Sequence, residues 1–248
     1  MADRTRTTER RYNGRLSPTV GLVLLIAAIL VSSVTGAGRA NEREKLKVMV
    51  DKTLGISRPE HHLTREDVRS VARAGFTTVV PRWGGADLDY LRKVARWAGQ
   101  EDLTFMPWMR GTHPPEGGPK MVEADGTVVS ICSPTSDVLW DWMEKRITAY
   151  ARLSTEMPSM MGVFLDYEIY ARPKRGNAYS LSYDRQILDK FAREDSSEIP
   201  ELEPAERRRW LQENGLHDRF AAFQVARWRK RCHMLRQKVD RINPVFRF

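Results

Sequence analysis

The protein has 248 residues, of which 41% are hydrophobic and 29% charged, with 13 prolines and 16 glycines. This composition is typical of a globular protein and excludes collagen-like, low-complexity and multi-span membrane chains. The net charge of +9 is local, because the excess of basic residues lies in 1–40 and 204–241 and the rest of the chain is slightly acidic.

The two cysteines, Cys132 and Cys232, are too few for a disulfide framework and lack the paired spacing of a zinc site. We therefore predict no metal and no cofactor. An oxidising compartment would permit a Cys132–Cys232 disulfide, but a buried core thiol is the simpler interpretation of Cys232. His61 and His62 precede a predicted helix, and we interpret them as surface or capping residues.

Residues 1–40 follow the order basic, apolar, small. Five arginines precede the apolar run 20–31, and GAGRA follows at 36–40. This order is typical of a secretory signal peptide cleaved after Ala40. An uncleaved membrane anchor is the alternative, although a span needs about 20 apolar residues. We expect an exported protein, periplasmic, extracellular or at the cell surface, that contacts a membrane only if this segment is retained.

From residue 46 onward, apolar runs alternate with amphipathic stretches. The runs predict strands at 46–50, 76–80, 103–109, 161–168 and 245–248. The intervening stretches predict helices, the first opened by a capping box of Thr64 and Asp67, the next at 87–98, 136–154, 183–195 and 204–213. Continuous apolar strands between helices indicate a buried parallel sheet.

Residues 41–248 are therefore predicted to form one α/β domain, a (β/α)8 TIM-barrel-like fold of which the first five βα units are present. An open doubly wound sheet is the alternative. It is disfavoured because no glycine-rich phosphate-binding pattern follows the first predicted strand.

A β-hairpin insertion is predicted near 121–131, where Asp125-Gly126 is a two-residue turn signal between two apolar runs. We expect it to stand over the carboxyl end of the third predicted strand. There it would either form a wall of a sugar cleft or be a decorative insertion.

The last predicted helix has a regular apolar seam. Its members are Ala221, Val225, Trp228, Cys232, Leu235, Val239 and Ile242. The basic residues lie off this seam, which is most simply the solvated face of an amphipathic helix, so we predict no nucleic-acid partner. They are Arg227, Lys230, Arg231, Arg236 and Lys238.

The residues that follow the predicted strands share one location, the carboxyl edge of the sheet, where barrel enzymes have their active sites. These candidate substrate-binding residues are Asp51, Arg82, Trp83, Trp108, Arg110, His113, Tyr170 and Arg172. Aromatic faces, arginines and acids together suit a carbohydrate substrate. Trp83 and Trp108 would alternatively be packing residues, and Arg82 would pair with Asp51 or Asp166.

Asp166 and Glu168 end the fourth predicted strand and are the candidate catalytic pair. Residues two apart in a strand point to the same face, roughly 7 Å from each other. Two such carboxylates repel each other in a partly desolvated pocket, which favours one holding a proton while the other stays ionised. The alternative is a buried structural network with Arg82 or Arg110.

The segment GVFLDYE at 162–168 resembles the fourth-strand signature DGxDxDxE of chitinase-type glycoside hydrolases. Gly162, Asp166 and Glu168 agree with it. The resemblance implies that Glu168 protonates the glycosidic oxygen and that Asp166 positions a substrate acetamido group. Met161 and Phe164 stand where that family has its first two aspartates, which weighs against the substrate-assisted mechanism. The large retaining (β/α)8 clan also has its acid/base Glu at the end of strand four, so this role for Glu168 holds under either analogy.

The sequence thus predicts a glycoside hydrolase-like protein acting on a poly- or oligosaccharide, with Glu168 as general acid/base assisted by Asp166. The alternative is a non-catalytic exported carbohydrate-binding or surface interaction protein, or a truncated enzyme. It stays open because a retaining enzyme needs a second carboxylate from a later strand. Phe246 and Phe248 are expected to be exposed at the open edge of the fifth strand.

Overall fold

The computed structural model describes residues 47–51, 62–81, 88–110, 117–166 and 181–248. Its strands are β1 Val48–Asp51, β2 Thr78–Pro81, β3 Thr104–Phe105, β4 Trp108–Arg110, β5 Lys120–Val122, β6 Val128–Cys132 and β7 Phe164–Asp166. Its helices are α1 Arg65–Arg73, α2 Leu88–Gln100, α3 Asp137–Glu156, α4 Arg185–Asp195, α5 Arg207–Glu213 and α6 His217–Asp240. The predicted segment 1–40 lies outside these ranges.

The strands β1, β2 and β3 are parallel neighbours in that order, and β4 and β7 form a second parallel pair. Backbone hydrogen bonds connect the two groups. The N–H of Phe105 in β3 donates to the carbonyl of Ser159 at 2.8 Å, and the N–H of Met161 donates to the carbonyl of Phe105 at 3.0 Å, which joins β3 to the segment that leads into β7. The third predicted strand is split into β3 and β4 at Pro107, because proline has no N–H to give to a ladder.

The predicted fifth strand, residues 245–248, is reduced to one bridge: it begins in a turn, and Arg247 lies parallel and opposite to Gly162, beside the segment that leads into β7. The strands thus lie side by side in chain order, as the first strands of a parallel barrel do. The strands that the structure describes form an open sheet and not a closed barrel. Phe246 is only 2% exposed, so its predicted exposure is wrong: its ring points into the core, while Phe248 is 37% exposed.

Side-chain caps begin three of the helices. The capping box before α1 is confirmed: the Thr64 N–H donates to the Asp67 carboxylate at 2.7 Å, and the Asp67 N–H donates to Thr64 Oγ1 at 3.2 Å. Ser136 and Asp184 cap α3 and α4 by one bond each: their side chains accept from the N–H groups of Leu139 and Ile187. Each cap provides an acceptor for an N–H that the first helical turn leaves unpaired. Within the ranges given above, no helix is both long and apolar enough to cross a membrane.

The first core lies between one face of the parallel sheet and helices α2, α3 and α6. It is closely packed and almost entirely apolar. Its fully buried members include Val79, Phe105 and Met109 from the strands and Leu91, Met143, Ile147 and Val239 from the helices. Alternate strand residues face these helices, so one face of the sheet is covered by them.

The second core lies under the hairpin of β5 and β6, residues 181–184, and helices α4, α5 and the beginning of α6. Its buried members are Val122, Tyr183, Ile187, Leu188, Phe191, Leu211 and Phe220. The hairpin supplies Val122 to this core, and the Tyr183 N–H donates to the Val122 carbonyl at 2.8 Å. The hairpin therefore packs onto the second core and is hydrogen-bonded to the segment before α4.

The hairpin turn is longer than its two-residue signal suggests. The Gly126 N–H donates to the Glu123 carbonyl, and the Glu123 N–H donates to the Thr127 carbonyl, each at 2.9 Å. Three residues, 124–126, thus form the turn, with Gly126 at a φ of +84°. A type I turn followed by a left-handed glycine is the usual form of a three-residue hairpin.

Helix α6 departs from its predicted seam at one end. Val225 is 52% exposed, whereas Phe220 and Gln224 are buried. The reason is that α6 packs against two cores. Its first half faces the second core, and its second half, with Leu235 and Val239, faces the first.

The predicted solvated basic face of α6 is partly an interface. Arg231 and Arg227 are about one-fifth exposed and approach Asp137 at the start of α3, and Arg227 also donates to Glu194 at 3.0 Å. Lys238 pairs with Glu144 at 2.5 Å. These basic residues therefore hold α6 against its helical neighbours.

Candidate functional site

The carboxyl ends of the parallel strands meet at one edge of the sheet. Asp51 ends β1 opposite Pro81, and Arg110 ends β4 opposite Asp166. Since parallel strands all run in one direction, residues that close each strand collect at the same edge. The predicted site residues on these strands therefore share one location.

The best-defined contact at this edge joins two predicted site residues. The indole Nε1–H of Trp108 donates to Asp166 Oδ2 at 3.0 Å, and each residue is 7% exposed. Trp108 lies opposite Phe164 in the register of β4 and β7, so its indole extends along the strand direction to reach the carboxyl group two residues on. A buried indole N–H needs an acceptor, and a buried carboxyl group needs a donor, so each satisfies the other.

Trp108, Phe164 and Asp166 lie on the face of the sheet opposite to the first core. Their neighbours Met109 and Leu165 pack into that core, and side chains alternate along a strand. Phe164 is 46% exposed, and its ring meets the Trp108 ring edge-on with centroids 6.0 Å apart. The edge thus presents an exposed aromatic ring beside a buried acid.

The structure brings Trp108 and Asp166 together and gives the backbone positions of Asp51 and Arg110. Six predicted site residues lie outside the described ranges, namely Arg82, Trp83, His113, Glu168, Tyr170 and Arg172. Sequence reasoning did not propose Phe164 as a site residue. The signal that could have found it is strand alternation, which places residue 164 on the same face as residue 166.

Neither cysteine has the character of a reactive nucleophile. Both are free thiols, Cys132 buried and Cys232 partly buried. Burial raises the pKa of both thiols above the usual value for cysteine. A thiol rather than a thiolate is therefore present at neutral pH. Across the described ranges, no group of three or more His, Cys, Asp or Glu residues could hold a metal ion.

His62 packs against the ring of Tyr90. Its ring lies 4.3 Å from the Tyr90 ring, centroid to centroid. The Leu63 N–H next to it donates to the Tyr90 hydroxyl at 3.0 Å, which fixes the chain just before α1.

A groove of about 340 Å³ lies between α3 and α6, away from the strand ends. Its lining includes Asp141, Glu144, Arg227, Lys230 and Lys238. Most of these charges are engaged in ion pairs between the helices. The groove is therefore a feature of helix packing and is separate from the candidate site.

No family model matches the sequence, and no curated protein matches it. Among solved structures, the β-galactosidase from the psychrophilic Marinomonas ef1 superposes with a TM-score of 0.52 at 15% identity over 79% of this chain. The fold of this chain is therefore similar to that of part of this β-galactosidase. This chain spans 35% of the length of that β-galactosidase. The endoglucanase Cel5A of Pseudomonas stutzeri overlaps over 41% of this chain and 32% of its own, at 14% identity and a TM-score of 0.29.

Proposed function

We propose that the protein is a glycoside hydrolase acting on a poly- or oligosaccharide. Glu168 is the general acid/base, and Asp166 assists it. The observation that carries the proposal is the Asp166 carboxyl group, buried at the carboxyl end of a parallel strand and bonded to the Trp108 indole. The likeness in fold to a β-galactosidase supports the same location for the site.

In this proposal Trp108 is a positioning residue that acts through Asp166. The indole N–H has only one direction of donation, so the bond fixes the carboxyl group of Asp166 at the end of β7. Glu168 follows two residues later, where an extended chain would direct it to the same face. Asp166 then orients Glu168 or the substrate while Glu168 transfers the proton to the glycosidic oxygen.

Phe164 offers the exposed ring on which the C–H face of a sugar can stack. The other proposed sugar-binding residues would donate to or accept from hydroxyl groups around this ring. They are Asp51, Arg82, Trp83, Arg110, His113, Tyr170 and Arg172.

The test is hydrolysis of a panel of aryl glycosides and polysaccharides, including β-galactosides and β-glucans, by the purified full chain. We expect turnover of at least one class of substrate. Glu168→Gln should lower kcat/KM by about 10²- to 10⁴-fold, because it removes proton transfer. Glu203→Gln is the matched control, since Glu203 is exposed in the loop before α5 and should leave the rate unchanged.

Equal rates for Glu168→Gln and wild type would overturn the assignment of Glu168. Absence of turnover on the whole panel would overturn the enzymatic proposal. In that case glycan-array binding that is lost in Asp166→Asn would support the alternative, a non-catalytic carbohydrate-binding protein.

Export is also part of the proposal. It rests on the basic, apolar and small order of residues 1–40. Expression with the native leader followed by mass spectrometry of the secreted fraction tests it. We expect a mature chain that begins at Asn41, and an intact leader on membrane-bound protein would favour the anchor instead.

A further inference from the structure

The C-terminal segment, residues 245–248, begins in a turn and forms one sheet bridge, at Arg247, which gives it one paired edge and one outer edge. On the paired side, the Arg247 N–H donates to the Met161 carbonyl at 3.0 Å, and the Arg247 carbonyl accepts from Val163 at 2.8 Å. Neighbouring residues of a parallel strand direct their N–H and C=O groups to opposite sides. Phe246 therefore directs both of its backbone groups to the outer edge. Among the strands that the structure describes, none lies beside that edge.

Both outward groups of Phe246 are nevertheless occupied. Its N–H donates to the Asn243 carbonyl at 3.1 Å. Its carbonyl accepts from Arg236 Nη1 at 2.8 Å. The Arg236 side chain comes from the last turns of α6, so the bond joins a helix to the edge of the sheet.

Arg236 is itself held in this position. Its Nε donates to Asp240 one turn later at 2.9 Å, and its guanidinium lies 4.6 Å from the centroid of the Phe248 ring. The cation therefore covers the outer edge from Phe246 to Phe248. A charged group at a strand edge opposes pairing with another strand, because pairing would strip the charge of water.

Without Arg236, the edge that it covers would expose apolar side chains to another strand. Val245 is 76% exposed and Phe248 37%. Exposed β-branched and aromatic residues at a sheet edge favour the addition of another strand once a backbone group at that edge is free to pair.

We propose that Arg236 is an edge guard, which prevents the 245–248 segment from pairing with the same segment of a second copy of this chain. Two identical edges related by a two-fold axis form an antiparallel, self-complementary pair, so no other partner is required. This inference is independent of the proposed glycosidase activity.

The test compares the association of full-length variants by light scattering after gel filtration, over a range of concentrations and beside wild type. Arg236→Ala should raise the weight-average molar mass about twofold or more relative to wild type, because the Phe246 carbonyl and the Phe248 ring lose their cationic cover and can meet a second copy. Arg241→Ala is the matched control. Arg241 is exposed and follows the last residue of α6, away from the Phe246 carbonyl that Arg236 covers, so the mass should stay that of wild type.

A second variant identifies the surface that associates. Arg236→Ala combined with Val245→Lys should return to the wild-type mass, because a lysine at the edge again opposes pairing. The proposal is overturned if Arg236→Ala keeps the wild-type mass, or if the added lysine leaves the association unchanged. Circular dichroism checks the fold of each variant. Should Arg236→Ala fail to fold, Arg236→Met, which keeps the aliphatic stem, takes its place with the same two outcomes.

Discussion

The two cores of the molecule satisfy their buried backbone groups in different ways. In the first core, ladder hydrogen bonds pair the N–H and C=O groups of the strands, so the side chains that face the helices are apolar. In the second core, residues 182–184 are buried without forming a strand, and side chains make hydrogen bonds to their backbone. Gln224 accepts from the Ser182 N–H at 3.1 Å and donates to its carbonyl at 3.0 Å, and Arg207 donates to the Tyr183 carbonyl at 3.0 Å.

This difference shows where polar side chains are needed inside a protein. A regular ladder leaves its side chains free to fill volume, whereas buried irregular backbone requires specific donors and acceptors. The first core should therefore respond to changes of volume, and the second to changes of hydrogen bonding.

The largest effect is expected from a loss of volume in the first core. Phe105 is fully buried on β3, and Phe105→Ala should lower the free energy of unfolding by about 3–5 kcal/mol. Urea denaturation followed by circular dichroism measures this. A loss below about 1.5 kcal/mol would mean that the first core collapses around the cavity, which would weaken the contrast.

A substitution that keeps the volume of the side chain should have different effects on stability in the two cores. Gln224→Met keeps the size of the side chain but leaves two backbone groups of Ser182 unsatisfied, so we expect a loss of about 2–3 kcal/mol. Met143→Leu in the first core is the matched control and should cost less than about 1.5 kcal/mol. Equal losses in the two variants would contradict the comparison.

Ser182→Ala should have a smaller effect in the same network. The Ser182 hydroxyl accepts from the Val122 N–H at 3.2 Å and the Asp184 N–H at 3.4 Å, and it donates to the Asp184 carboxylate at 2.7 Å. Its removal takes this acceptor from two N–H groups, so the expected loss is about 1–2 kcal/mol. Combining it with Gln224→Met should give a loss smaller than the sum, because both variants disturb the same backbone. Strict additivity would mean that the two bonds are independent.

The smallest effect is expected where the start of α3 meets α4 and α6: Asp137 is hydrogen-bonded to Lys190 of α4 at 2.5 Å and contacts Arg231 of α6. Burial raises the pKa of the Asp137 carboxyl group. The hydrogen bond from Lys190 and the charges of Lys190 and Arg231 together lower this pKa by more, so it lies below its usual value. A lowered pKa stabilises the fold above the pKa of the unfolded state and ceases to do so as pH falls through the folded-state value. Asp137→Asn should therefore cost up to about 1 kcal/mol at pH 7.

The control for this effect is the same comparison of the two proteins at low pH. The difference between wild type and Asp137→Asn should vanish once pH falls below the folded-state pKa, as measured by urea denaturation at a series of pH values. A difference that persists in acid would mean that packing rather than charge accounts for it.

The first core could be predicted from sequence because its signals are local. Continuous apolar runs and 3.6-residue periodicity located the strands and helices, and Thr64 with Asp67 located the start of α1. The partners of α6 could not be found in this way. Phe220 and Gln224 are buried because residues 181–184 pack beside them, and a contact between segments 42 residues apart leaves no periodic signal.

The candidate site was predictable in part for the same reason. Strand ends indicated Trp108 and Asp166 separately, but their bond depends on the register of β4 against β7, which no local pattern specifies. The burial of Phe246 likewise follows from tertiary packing, since its ring fills space left between the sheet and α6.

One helix crosses both cores. With 24 residues, α6 is about 36 Å long, and it contributes Phe220 at one end and Leu235 and Val239 at the other. Because both cores include the same helix, neither can open without disturbing the other. The slowly exchanging amide hydrogens of the two cores should therefore exchange with the same free energy of unfolding. It follows that cleavage of the chain ahead of α6 would not release a smaller autonomous domain, because the sheet would lose the same element as the hairpin does.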